Sequence, residues 1–155
     1  MMKAETKYFG EIEFSEEEPL TFPKGLFGFE DEKRFLLLPF EGNGTLYSLQ
    51  SLSTPQLAFV LMDPFSLEPA YTPVPEEEEL DELGVKDSTE LYYFVMCVVK
   101  SPVADSTVNL KCPVAVNPDT RVAMQVILED DAYEMRHRLG TFEKRKDESD
   151  ADLTT

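Results

Sequence analysis

The sequence predicts a mainly β fold: a small β-barrel-like single domain with short helical segments. Three observations carry that expectation. Eleven prolines sit at the boundaries of apolar runs. Proline lacks a backbone donor and is excluded from central strands and helix interiors, so this spacing cuts the chain into short elements. Short apolar runs between turn signals are the pattern of a sandwich or barrel. Finally, 42% of the residues are hydrophobic, with 11 Phe and 6 Tyr, which is too apolar for a disordered chain. At 155 residues there is room for one domain and no sign of an internal repeat.

The elements follow in order. Residues 7–14 alternate, with Tyr8, Ile12 and Phe14 on one face and Glu11 and Glu13 on the other. Residues 35–40 and 46–50 flank Glu41-Gly42-Asn43-Gly44, where the Asn-Gly pair supplies the positive φ of a tight hairpin. Residues 57–62 are apolar and end at Asp63-Pro64. Residues 91–99 form the densest run, rich in aromatic and β-branched side chains, and read as a central strand covered on both faces. Val114, Ala115 and Val116 end at the turn Asn117-Pro118-Asp119-Thr120, and residues 121–128 follow as a last core strand.

Only residues 73–84 read as a helix. Prolines stand at its start, acids fill its first turn and Gly84 stops it. A single turn around residues 30–33 is a further candidate. The domain is expected over residues 1–142. Residues 143–155 hold one large apolar residue, Leu153, and read as a charged, disordered tail.

Charge bounds the partners. Fourteen Lys and Arg against 31 Asp and Glu give a formal net charge of −17. Direct binding of nucleic acid is disfavoured, because phosphate contacts need cations. An anionic membrane surface is disfavoured for the same reason. The longest nearly continuous apolar run, residues 91–99, is far short of the roughly 20 residues of a membrane helix. The N-terminus leads into no apolar secretory region. Cys97 and Cys112 make no disulfide framework. A cytoplasmic protein is expected, and Asn43-Gly44-Thr45 then reads as a turn and not as a glycan site.

Catalytic chemistry finds little support. The single histidine, His137, lies between Arg136 and Arg138, poor partners for orienting a catalytic imidazole. Cys97, Cys112 and His137 match no zinc spacing. Gly25-Leu26-Phe27-Gly28 lacks the Lys-Ser/Thr of a phosphate loop. No catalytic residue, metal or cofactor is assigned. A carboxylate enzyme would need a deep pocket holding a buried acid of raised pKa.

Two features remain. One is clustered acidity: Glu11, Glu13, Glu16, Glu17, Glu18, Glu76, Glu77, Glu78, Glu79, Asp81 and Glu82. The plain reading is a solvated surface; the functional one is docking onto a basic partner. The other is Leu20-Thr21-Phe22-Pro23-Lys24-Gly25-Leu26-Phe27-Gly28-Phe29, whose plain reading is a loop tied into the core by aromatics.

That loop resembles the F-P-x-G-L-x-G-F signature of the FliW family of bacterial flagellar assembly factors. Further stretches are similar in the same order. They are Phe9-Gly10 with Ile12, Leu49-Gln50-Ser51, Pro55-Gln56-Leu57-Ala58-Phe59, and Asp63-Pro64. Next comes Asn109-Leu110-Lys111-Cys112-Pro113, with cysteine where the family favours alanine. Tyr133, Arg136, His137 and Leu139 resemble its closing motif.

The resemblance implies a non-enzymatic cytoplasmic protein that binds two partners. One is flagellin before export. The other is CsrA, the carbon storage regulator, an RNA-binding repressor of flagellin translation. Flagellin and CsrA would compete for the factor, so that export controls synthesis. On this reading the acids named above face a partner. Phe22, Pro23, Gly25, Leu26, Gly28, Phe29, Asn109 and Pro113 are motif residues with an architectural role. The alternative is a dedicated flagellin export chaperone without a regulatory role, which needs an apolar patch for an exposed cargo helix.

Overall fold

The structure, a computed structural model, describes residues 1–42 and 44–142. The expected tail at 143–155 lies outside the described residues. Strands dominate, as expected. β1 (Met2–Thr6) and β2 (Gly10–Phe14) form a two-stranded antiparallel hairpin. The main sheet contains β3 (Leu20–Thr21), β4 (Arg34–Pro39), β5 (Leu46–Ser51), β6 (Ala58–Met62) and β7 (Tyr92–Val98). It also contains β8 (Thr107–Val108), β9 (Val114–Val116), β10 (Ala123–Gln125) and β11 (His137–Arg138). The strand order is β10-β9-β7-β6-β5-β4-β3, with β8 on β7 and β11 on β8.

The ladder sorts the side chains, because directly paired residues share a face. Leu46, Met62 and Val95 pair in one row. They face a core completed by Tyr71, Leu83, Leu110, Val126, Leu128 and Phe142. Leu37, Leu49 and Phe59 pair in a row on the opposite face. There they meet Phe22 and Leu26 of the motif loop, together with Val114, Val116 and Ala123. The sheet thus has two apolar faces, one met by residues 20–26 and the other by residues 64–85 together with the segments around 110, 126–128 and 139–142.

No closed barrel is found. The two ends of the strand path meet at one isolated parallel bridge, Thr21 with Val122, where the Thr21 N–H donates to the Arg121 carbonyl at 2.9 Å. The Arg121 guanidinium also donates to the Glu18 carbonyl.

Several expected elements differ. The strand over 7–14 starts at Gly10, and an unforeseen strand precedes it. Thr6 makes the turn: its hydroxyl accepts from the Phe9 N–H and donates to the Gly10 carbonyl, at 2.9 and 2.7 Å. Tyr8 is therefore exposed on that turn and not aligned with Ile12 and Phe14. Between β4 and β5 the positive φ falls at Gly42, at 74°. The connection between the two strands covers 40–45, and the tight turn expected at Asn43-Gly44 falls on Asn43, which lies outside the described residues.

The dense run is covered on both faces over residues 93–97, where Tyr93, Val95 and Cys97 join one core and Phe94 and Met96 the other; Tyr92 and Val98 at its ends are exposed. The last core strand shortens to Ala123–Gln125. Beyond it the Val126 and Leu128 N–H groups reach the carbonyls of Pro113 and Lys111, at 3.0 and 2.8 Å, outside any regular ladder. Residues 30–33 form a turn and no helix.

The expected helix at 73–84 is α2 (Glu77–Leu83), shorter because Glu76 is its extended N-cap and residues 73–75 lie outside it, with Gly84 left-handed at its end. It is not alone. Asp63 accepts from the Phe65 N–H at 2.9 Å and starts α1 (Pro64–Leu67), where only a turn was expected. Short 3₁₀ turns occupy Ser88–Glu90 and Val103–Asp105. Cys97 and Cys112 are free thiols. Among the described residues, no helix is long and apolar enough to cross a membrane.

Candidate partner-binding surface

Helix α2 carries the densest acidity because of its amphipathic build. Leu83 is buried and Leu80 half-buried against the core, so Glu77, Glu78, Asp81 and Glu82 point to solvent. Acids in the first turn suit the helix dipole. Glu79 is half-buried and has two tasks: Oε1 accepts from the Glu76 N–H at 2.8 Å, and Oε2 from the Ile127 N–H at 3.3 Å. The second bond ties the helix to the segment after β10.

That segment adds an acid that sequence spacing did not assign. Glu76 keeps its proton above the usual carboxylate range, chiefly through a side-chain hydrogen bond with Glu129 and also through its charge. Glu79 and Glu78 add smaller repulsion. The available signal was Glu129-Asp130-Asp131, an acidic run closing the last apolar stretch. Lys24 of the motif loop partly neutralises the other end, with Nζ 2.6 Å from Glu82 Oε1.

The hairpin carries the second group. Glu5 and Glu11 pair directly across β1 and β2, and Lys3 pairs with Glu13, all four exposed. Lys3 reaches Glu11 diagonally at 3.7 Å. Like charges directly opposite destabilise a ladder, so one lysine serves three carboxylates on this face. Glu16, Glu17 and Glu18 follow in an exposed turn, and the Glu18 carboxylate accepts from the Ser15 hydroxyl at 3.4 Å. Among the described residues, no hydrogen bond or ion pair joins these acids to those of α2. The structure therefore holds two acidic groups on separate elements.

The motif loop builds from inside outward. Phe22 is fully buried and meets the Phe35 ring edge-on at 5.2 Å. Gly25 has φ 67°, and an added Cβ would lie 2.5 Å from the Phe29 carbonyl oxygen. Leu26 and Phe29 then close a two-residue turn, with N–H to carbonyl distances of 3.2 and 2.8 Å in the two directions. Gly28 takes φ 86° in that turn, which puts Phe27 outside, half exposed. The Phe27 N–H is held by Gln125 Oε1 at 3.1 Å, and Phe29 meets Phe59 edge-on. Pro23 is exposed, and its carbonyl accepts from Lys33 Nζ. Further along, Asn109 Oδ1 accepts from the Cys112 N–H at 2.9 Å, and the buried Pro113 offers its carbonyl to Val126.

Little here resembles a reaction centre. Among the described residues, no three His, Cys, Asp or Glu side chains are grouped to hold a metal ion. Glu76, the carboxyl whose pKa is raised, is exposed. One cavity of about 180 Å³ lies between Glu68, Ala70, Leu110, Ala132, Tyr133, His137 and Phe142. Pockets for small-molecule ligands usually measure about 300–1,000 Å³.

The FliW protein family matches residues 3–139. The chain is 39% identical to the flagellar assembly factor FliW of Geobacillus kaustophilus over 138 residues, covering 89% of this chain and 95% of that one. It is 32% identical to the flagellar assembly factor FliW of Clostridium botulinum, covering 89% and 96%. A crystal structure of the flagellar assembly factor FliW superposes with a TM-score of 0.83 at 38% identity, covering 89% of this chain and 96% of that chain.

Proposed function

The chain belongs to the FliW family of flagellar assembly factors, which are not enzymes, and from that premise we propose that it works in the cytoplasm by binding two proteins, flagellin and the repressor CsrA. Binding CsrA relieves repression of flagellin translation, and flagellin competes for the same factor. The observation that carries the CsrA half is the outward face of α2. Glu77, Glu78, Asp81 and Glu82 are exposed there, and Glu129 crowds against Glu76 despite the repulsion. A regulator that grips RNA must present cations, and complementary charge steers and orients such an encounter. The same charge argues against nucleic acid or an anionic membrane as a direct partner.

The test is size-exclusion chromatography of the purified protein with CsrA, with and without flagellin. A CsrA complex that flagellin displaces is expected. Glu77→Lys with Glu78→Lys should weaken that complex and leave the melting temperature within a few degrees. The hairpin pair Glu11→Lys and Glu13→Lys tests the second acidic group. Unchanged affinity in both variants would remove the electrostatic part of the reading.

A second reading is a dedicated flagellin export chaperone. Phe27 and Phe29 favour it, since both are partly exposed on one tight turn and offer apolar surface to a cargo helix. A flagellin complex without any CsrA complex would select this reading. We also read the Thr21–Val122 bridge as the seam that makes the sheet barrel-like.

A further inference from the structure

We propose that the outer edge of β2 is a site of strand addition, and that its occupant is an extended segment of a partner protein in which lysine or arginine alternates with apolar residues. The edge itself is the first argument. β1 and β2 form a sheet of their own, and among the described residues no third strand joins it. No main-chain hydrogen bond reaches residues 10–14 from a described residue outside the hairpin. No other strand or helix of the described chain runs alongside β2. Gly10 has no side chain and is exposed, so the backbone is open to solvent where the strand begins. An edge strand presents a row of N–H and C=O groups with no partner, and an extended segment can pair with them. A two-stranded hairpin is also marginal by itself, and a third strand supplies support that it lacks.

The side-chain pattern of β2 selects the occupant. Glu11 and Glu13 are exposed on one face, and Ile12 and Phe14, half-buried and buried, lie on the other. Across a ladder each side chain meets the one directly opposite. A segment with cations at every second position sets one opposite Glu11 and one opposite Glu13. Its intervening apolar side chains extend the row of Ile12 and Phe14. Lys3, on the other side of the ladder, lies 3.7 Å from Glu11, and among the described residues no ion pair reaches Glu13. The same pattern excludes a second copy of this chain. Two β2 strands paired antiparallel about Ile12 would set Glu11 against Glu13 twice, and like charges directly opposite destabilise a ladder.

The template is held in place before anything binds. The Lys7 N–H donates to Gln50 Oε1 at 2.9 Å. Gln50 is itself buried, and its Nε2 donates to the carbonyls of Ser51, Pro55 and Leu57 at 3.0, 3.0 and 3.2 Å. Tyr8 and Phe9 pack on Phe40, with ring centres 5.6 and 5.2 Å away. These contacts use the turn of the hairpin and not the edge of β2. A strand fixed in this way loses little further freedom when a segment pairs with it. The inference deepens the proposed reading of the hairpin acids and rests on it only in taking a protein as the source of the segment.

The test is an NMR titration of the full, ¹⁵N-labelled chain with three short peptides. The first alternates lysine and valine, the second alternates glutamate and valine, and the third is the lysine peptide with every main-chain nitrogen methylated. The lysine peptide should shift the amide signals of residues 10–14 saturably and slow the exchange of their outward amides with solvent. The glutamate peptide should leave them unmoved. The methylated peptide keeps the charge but offers no main-chain donor, and should bind about tenfold or more weakly. Glu11→Gln with Glu13→Gln should weaken the lysine peptide by about threefold to tenfold. Equal binding of the methylated and unmethylated peptides overturns the proposal, since charge alone would then hold them. So does a shift at residues 77–83 of the acidic helix as large as that at residues 10–14. The comparison of peptides leaves the protein unaltered, so it stands even if the double variant fails to fold. No peptide depends on CsrA. Strand addition in a protein that ignores CsrA would keep this inference and sink the regulatory one, and a CsrA complex without strand addition would do the reverse.

Discussion

The side-chain amide of Asn117 donates to the carbonyl of Leu83 at 2.8 Å, and both residues are buried. Leu83 is the last residue of α2, where helix carbonyls have no partner of their own. Asn117 lies 34 positions away, in the turn after β9, and its Oδ1 also accepts from the Asp119 N–H. One amide thus shapes the turn and pins the acidic helix. Asn117→Ala should lower stability by about 1–3 kcal/mol, the cost of an unsatisfied buried acceptor. Urea denaturation measures it, and an unchanged midpoint would mean that water satisfies the carbonyl.

Gly25 and Gly28 are both left-handed, yet their surroundings differ. A left-handed conformation costs an ordinary residue about 1–2 kcal/mol. At Gly28 nothing lies within 4 Å of an added Cβ, so Gly28→Ala should cost about that much. At Gly25 the backbone of Phe29 and Glu30 stands 2.5 and 2.6 Å away, so Gly25→Ala must also displace the loop. It should be the more damaging change by a clear margin in thermal melts. Equal losses would show that the loop yields without cost.

The Glu76 and Glu129 pair makes a pH-dependent contribution. In the fold Glu76 keeps its proton to higher pH than an ordinary carboxyl. Between the unfolded and folded pKa values the folded chain holds the extra proton, so stability falls as pH rises through that window. Glu129→Gln removes the repulsion and leaves Glu76 in place. It should raise the urea midpoint near neutral pH, with the gain fading as pH falls through about 4 towards about 3, where carboxyls are mostly protonated in either state. A gain of the same size at both pH values would assign the effect to something other than charge.

Both thiols should react slowly with a thiol reagent. Burial pushes the Cys97 thiol up and does the same for Cys112, so less of either is the reactive thiolate. Cys97 is half-buried and Cys112 fully buried. In the native state Cys97 should label first and Cys112 only on unfolding. Fast labelling of Cys112 would reveal an opening of the 109–113 turn.

The strands were legible where one residue type dominated. Residues 57–62 and Val114–Val116 carry uninterrupted apolar runs, and Glu76 to Gly84 carries both helix signals. Strands that depend on distant partners were not legible. Met2–Thr6 alternates over only two apolar residues, Met2 and Ala4, and is paired only by β2 folding back on it, and Leu20–Thr21 is too short to show a period. The acids of α2 could be read as exposed from the leucine spacing. The meeting of Glu76 with Glu129 could not, since it depends on the course of the chain after β10.

The bonds across the sheet's two ends span nearly the whole domain. Phe27 reaches Gln125 over 98 positions and Arg121 reaches Glu18 over 103. Closing a loop of that length costs roughly 4 kcal/mol of chain entropy before any contact repays it. Local hairpins such as β4–β5 face no such barrier and should form first. The join at Thr21 and Arg121 is then the last part to assemble and the first to open. Substitutions there should speed unfolding and leave the folding rate nearly unchanged, which makes this join the point that governs the lifetime of the folded chain.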